Sequence, residues 1–185
     1  RSGLILSRNK RTYTYGYLEA HMKLSPAQGA FPAWWLMPNN PMYGGWPKCG
    51  EIDIMEHIGA NDKTTAFGTL ICDRAPEYDG YGFKKSVVGR GPDFTTDFHT
   101  FGLLWEKGTD NRVILRWFVD NVPIGMYDQS EWPPAPGGPA GSPFDYPYHM
   151  IINLTMGEEQ WGGLSPPSAS GAFIEVEWVR VWQRS

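Results

Sequence analysis

Glu51, Asp53 and Glu56 crowd three carboxylates into six residues of the run Gly50-Glu51-Ile52-Asp53-Ile54-Met55-Glu56-His57. The segment reads as a β-strand, and a strand places every second side chain on one face. Glu51 and Asp53 therefore share a face, with Ile52 and Ile54 on the other. Strict alternation would drop Glu56 onto the isoleucine face, where an unpaired buried charge is costly. One extra residue around Ile54-Met55, a β-bulge, returns Glu56 to the side of Glu51 and Asp53, and bulges gather beside active sites. Three like charges on one short strand repel each other, and acid–base chemistry is the gain that would justify keeping them.

With the bulge, Glu51 and Glu56 are separated by about 13 Å between Cα atoms at ~3.3 Å per residue. Side chains leaning together over Asp53 close that gap to roughly 5–6 Å, the separation used by retaining glycosidases. One carboxylate would attack an anomeric carbon while the other protonates the leaving oxygen. Asp53 can share a proton with the nucleophile, and its charge raises the pKa of a neighbouring Glu. The same spacing also suits a solvated acidic edge strand or a calcium site. Calcium, however, wants more oxygen ligands from a more flexible loop.

The elements that must position these residues are strands. Leu18, Ala20, Met22 and Leu24 alternate with Tyr17, Glu19, His21 and Lys23 in a half-buried strand pattern. Residues 113–119, 148–155 and 173–183 carry apolar side chains on both faces, which suggests central strands. No amphipathic helix longer than two turns is visible. Short strands between Gly/Pro turns predict an all-β sandwich or jelly roll. Residues 38–50 form a loop feeding the carboxylate strand, and the Pro/Gly-rich residues 132–147 are expected to be a surface loop near a site.

At 185 residues the chain fits one domain, 1–185. Nine Trp and nine Tyr exceed what core filling needs. The net charge of −4 and the scattered Lys exclude a nucleic-acid surface and favour a neutral partner. No apolar run is long enough for a membrane span, and no signal peptide opens the chain. Cys49 and Cys72 would face each other across a hairpin turning near residues 59–62, either as a disulfide or as two buried thiols.

Glu51-Ile52-Asp53-Ile54-Met55-Glu56, preceded by Gly45-Trp46-Pro47-Lys48-Cys49-Gly50, resembles the signature of family 16 glycoside hydrolases in its bulged E-x-D-x-x-E form. Thr14-Tyr15-Gly16-Tyr17-Leu18-Glu19-Ala20 resembles the family's early strand. Phe31-Pro32-Ala33-Trp34-Trp35-Leu36-Met37, Asp97-Phe98-His99-Thr100-Phe101, Ile151-Ile152-Asn153-Leu154 and Val176-Glu177-Trp178-Val179-Arg180-Val181 match in order. The resemblance implies a concanavalin-like jelly roll of two antiparallel sheets, one forming a glycan cleft. It implies Glu51 as nucleophile, Asp53 as assisting acid and Glu56 as general acid/base. The most similar subgroup is the laminarinases, endo-acting on β-1,3- or mixed β-1,3/1,4-glucans outside the cell, either secreted or on its surface. A lectin-like glucan binder on the same fold, or an agarase/carrageenase-type galactanase, is the alternative. Relative to the family, the N-terminal strands that complete the sheets are missing here.

Aromatic faces are good platforms for sugar C–H faces, so Trp35, Trp46 and Trp161 are candidate substrate-binding residues. Asn40 and Asn153 could hydrogen-bond sugar hydroxyls. The sequon at Asn153-Leu154-Thr155 is discounted because a cleft-facing strand Asn is a poor glycan acceptor. His99 is expected on a strand beside the catalytic one, as a cleft residue and not a metal ligand, since no second His or Cys stands at ligand spacing. His57 is expected to support by packing. Glu177 falls where relatives often place a calcium-binding Asp, but the accompanying ligands are absent. No cofactor is therefore required, and a structural calcium lacks support in the sequence. Gly157-Glu158-Glu159-Gln160-Trp161 adds acids where relatives carry Gly-Gly before Trp, which would reshape the distal subsites.

Overall fold

In a computed structural model, residues 3–58, 62–72, 83–157 and 171–184 are described. They form eleven strands: β1 (Gly3–Leu6), β2 (Gly16–Lys23), β3 (Ala30–Pro38), β4 (Glu51–Glu56), β5 (Thr65–Cys72), β6 (Phe83–Arg90), β7 (His99–Lys107), β8 (Val113–Val119), β9 (Val122–Asp128), β10 (Tyr148–Met156) and β11 (Glu175–Trp182). One sheet has the order β1-β10-β3-β4-β5-β6 and the other β11-β2-β7-β8-β9. Every pairing is antiparallel. This is the two-sheet, all-β jelly-roll architecture that the strand patterns predict.

Period-two alternation explains how the sheets meet. Leu18, Ala20 and Met22 of β2 point into the core with Leu103 and Trp105 of β7 and Leu115 and Trp117 of β8. Trp34 and Leu36 of β3, Ile52 of β4 and Leu70 of β5 meet them from the other sheet. Burying each such aliphatic side chain stabilises by about 1.5–3 kcal/mol. A buried indole also needs an acceptor for its N–H. Trp105 donates to the Phe144 carbonyl at 3.0 Å, and Trp117 donates across the core to the Asp53 carbonyl at 2.8 Å.

Two sequence expectations are corrected. Residues 173–183 do not form a central strand: β11 is the edge of its sheet, and Phe173, Val176 and Trp182 are exposed. Apolar residues on both faces are equally compatible with an edge whose outer side is uncovered. Residues 132–147 are a surface loop only in part: Pro134, Pro136, Gly137, Pro139 and Ala140 are exposed, while Trp132, Ala135, Phe144 and Tyr146 are buried. This loop packs edge-on through Trp132 and Phe144 (5.3 Å between rings) and through Tyr146 and Tyr148 (5.4 Å). Proline and glycine exclude regular structure here without excluding burial.

The β4–β5 hairpin forms as expected, and Cys49 and Cys72 are two buried free thiols. At one flank of the sandwich β6 and β9 close together, where the Tyr127 hydroxyl donates to the Ser86 carbonyl at 2.8 Å. At the opposite flank the edge strands β1 and β11 leave Leu4, Ile5 and Leu6 exposed. Among the described residues, no helix is long and apolar enough to cross a membrane.

Candidate active site

The ladder of β4 contains the expected bulge. On the β5 side Asp53 pairs with Thr69 and Glu56 with Phe67, so three steps along β4 match two along β5. On the β3 side the register shifts in the same place, between Trp34 opposite Met55 and Trp35 opposite Asp53. Ile54 and Met55 are both buried in the core, which lets Glu51, Asp53 and Glu56 share the outer face. Bulges leave a ladder group unpaired, and the Trp117 indole takes up the Asp53 carbonyl from the facing sheet. Trp117 fits because Gly68 has no side chain: a Cβ there would lie 2.2 Å from Trp117 Cδ1.

The loop before β4 fixes the other end of the carboxylate row. Tyr146 and Tyr148 both donate to the Cys49 carbonyl, at 3.1 and 3.0 Å. Gly50 adopts φ 82°, and a Cβ on it would meet the Tyr148 hydroxyl at 2.3 Å. The Tyr43 hydroxyl reaches the Asp145 carboxylate at 3.1 Å, tying residues 38–50 to residues 132–147. Burial, and then the charge of Asp145, pushes Tyr43 up to about 12, while burial raises the Asp145 carboxyl.

The three carboxylates line a groove of about 250 Å³ whose walls include Trp35, Trp46, Ile71 and Asn153. Trp46 donates its indole N–H to Glu51 Oε2 at 2.6 Å. Trp35 donates to Asn153 Oδ1 at 2.6 Å, and Asn153 Nδ2 donates onward to Thr155 Oγ1 at 3.0 Å. Trp34, by contrast, is fully buried. Thr69 donates to Glu56 Oε2 at 2.8 Å.

Not every candidate reaches this groove. His99 is corrected: β7 belongs to the other sheet, where His99 Nδ1 meets Asp120 Oδ2 at 2.8 Å and the ring packs edge-on against Phe94. Its odd-numbered strand position points it inward with Phe101 and Leu103, toward the space between the sheets. Asn40 is exposed and lies outside the groove lining. Trp161 lies outside the described residues, as do the added acids Glu158 and Glu159. His57 is buried, with Nδ1 at 2.7 Å from the Thr65 carbonyl, in the supporting place expected. Glu177 meets His21 Nδ1 at 2.6 Å. Among the described residues no cluster of His, Cys, Asp and Glu is arranged to hold a metal ion.

A family model for glycosyl hydrolases family 16 matches residues 1–180. The chain belongs to this family. It is 34% identical to a glucan endo-1,3-beta-glucosidase of Cryptopygus antarcticus, over 94% of this chain and 64% of that protein. It is 32% identical to a beta-glucanase of Rhodothermus marinus, over 98% of this chain and 62% of that protein. The chain thus spans less than two thirds of the length of either relative. Among solved structures it is similar to the laminarinase catalytic domain of Thermotoga maritima, with a TM-score of 0.77 at 29% identity, covering 98% of this chain and 69% of that one.

In this family 16 chain, sequence reasoning missed Thr69, which faces Asp53 across the ladder, and Ser86 behind it. The signal was available: a hairpin register counted back from its turn puts Thr69 beside the carboxylates. A lone threonine in an apolar strand carries no chemistry until that register is known.

Proposed function

We propose that this chain hydrolyses β-1,3- or mixed β-1,3/1,4-glucan internally, with retention at the anomeric carbon. The observation that carries this reading is the β4 bulge, which sets Glu51, Asp53 and Glu56 on one wall of an aromatic groove. Glu51 attacks the anomeric carbon while Glu56 donates a proton to the departing glycosidic oxygen. The C–O bond to the leaving chain breaks as the Glu51–sugar ester forms. Glu56, now a carboxylate, takes a proton from water, whose oxygen displaces Glu51 and restores the β-anomer. The Trp46 N–H donates to Glu51 Oε2 and fixes the orientation of the carboxylate for attack. Asp53 holds a shared proton between itself and Glu51 when the ester is released.

The similarity to a glucan endo-1,3-beta-glucosidase and a beta-glucanase supports glucan as the substrate. The net charge of −4 also favours a neutral polymer over a sulfated galactan. Because such a polymer does not cross membranes, we place the enzyme outside the cell. Trp35 and Asn153 form one sugar-contacting wall and Trp46 another.

Glu51→Gln and Glu56→Gln should each lower laminarin turnover by about 10²–10⁴-fold or more, while oligosaccharide binding measured by calorimetry is kept. NMR of the first products should show the β-anomer. Near-normal hydrolysis by either variant, or an initial α-anomer, would defeat the assignment.

A further inference from the structure

The two sides of Glu56 carry unequal duties in a two-step reaction. The sugar esterified to Glu51 must stay gripped until water arrives, whereas the leaving chain departs between the steps. Trp35 and Asn153, on β3 and β10, and Trp46, bonded to Glu51, make up the grip. The register carries the same row past Glu56 in the other direction. Asn153 stands opposite Ala33, Ala33 opposite Glu56, Glu56 opposite Phe67 and Phe67 opposite Val88. Residues opposite one another share a face of the sheet, so Phe67 and Val88 extend the carboxylate face across β5 and β6.

A second hollow, of about 290 Å³, opens on that face. Phe67, Val88 and Ile58 form its apolar floor, and Val88 is 46% exposed. Asp62 and Arg90 form a polar rim, with Arg90 Nη1 at 3.8 Å from Asp62 Oδ2. The Thr64 and Thr65 hydroxyls donate to the Asp62 carboxylate and, in that order, hold its pKa down at about 2. A fixed acceptor beside guanidinium donors matches the neighbouring hydroxyls of a pyranose. Phe67 and Val88 match its C–H face.

We infer that this hollow receives the leaving glucan chain, with Phe67, Val88, Asp62 and Arg90 helping to set which bond of the polymer is cut. The inference rests on the reading of Glu56 as general acid, because the acid protonates the oxygen shared by the retained sugar and the leaving one. The leaving chain therefore starts at Glu56 and crosses β5 and β6 over Phe67 and Val88. A polarity follows. The non-reducing end of the polymer lies over β3 and β10, and its reducing end over β5 and β6. A surface dip without this role would carry no such direction.

Laminarihexaose labelled at its reducing end reads the direction, because the labelled product is the leaving chain. Phe67→Ala should shorten the labelled product and lower kcat/KM on laminarin roughly tenfold, the loss of one aromatic contact. Dinitrophenyl laminaribioside has a leaving group that holds no sugar and departs without protonation. On it the variant should stay within about twofold of wild type. Arg90→Ala, at a side chain 76% exposed, should give the same pattern at smaller size, which keeps the test open should Phe67→Ala fold poorly. An unchanged product pattern in both variants, a longer labelled product, or equal losses on both substrates would overturn the assignment of the hollow. Glu56→Gln separates the two ideas, and should lose kcat/KM on laminarin while sparing the dinitrophenyl substrate. If it loses both equally, the acid reading falls and the polarity with it. If it spares the dinitrophenyl substrate while Phe67→Ala does not, the hollow alone falls.

Discussion

Trp46 and Thr69 each donate to one carboxylate oxygen of the β4 row, at 2.6 and 2.8 Å. These contacts lie beyond a sequence reading, because they depend on which rotamer faces which neighbour. The carboxylates themselves were legible, since three charges in six residues must be explained by something. His57 offers a test at the same scale. It is fully buried beside Glu56, and burial lowers its pKa from 6.5. As pH falls below 6.5 the unfolded chain takes up a proton that the folded chain refuses, so its contribution is complete above that pH and lost as pH drops toward the folded value. His149, also lowered by burial, acts with the same sign. The melting temperature should therefore fall between pH 7 and about 5, a range above the ordinary carboxylate titrations. His57→Asn should reduce that slope, whatever its effect on absolute stability. A variant with the wild-type slope would show that His57 does not carry the dependence.

The bulge, the Trp117 indole and Gly68 form one unit at the level of elements. The bulge was readable because a regular strand would have buried Glu56. The indole that satisfies it was not, because alternation shows only that Trp117 faces a core. The buried anchors of the loop 132–147 were missed for a related reason: composition reports the lack of a ladder, while burial depends on what lies alongside. Gly68→Ala should therefore be severe, since the new methyl would meet the Trp117 ring at 2.2 Å with Trp117 held by the Asp53 carbonyl. Overpacking of this kind costs about 1–3 kcal/mol or more. Denaturant unfolding should show that loss, accompanied by reduced laminarin turnover as the Asp53 carbonyl is displaced. A variant of native stability would show that the contact relaxes freely.

For the whole molecule, the sandwich and the family were legible from strand patterns and motif order along nearly the whole chain. Sheet membership was not. His99 lies within one of the matched segments, yet β7 runs in the sheet opposite β4, and alternation alone cannot assign a strand to a sheet. Substrate choice also belongs to this scale, because linkage is selected by the groove as a unit. Barley-type mixed-linkage glucan and laminarin should both be cut, and agarose should not, as judged by product chromatography. Faster cleavage of agarose than of either glucan would reject the neutral-glucan reading.

The extra residue in β4 also bears on how such chains are aligned. A regular strand one residue shorter, of the form Glu-x-Asp-x-Glu, would present the same three acids on the same face with an unbroken ladder. Matching the two spellings by counting residues would set Glu56 against the wrong partner. The gap belongs at Ile54-Met55, where both side chains turn inward. Orientation, more than distance along the chain, is what equates one acid with another.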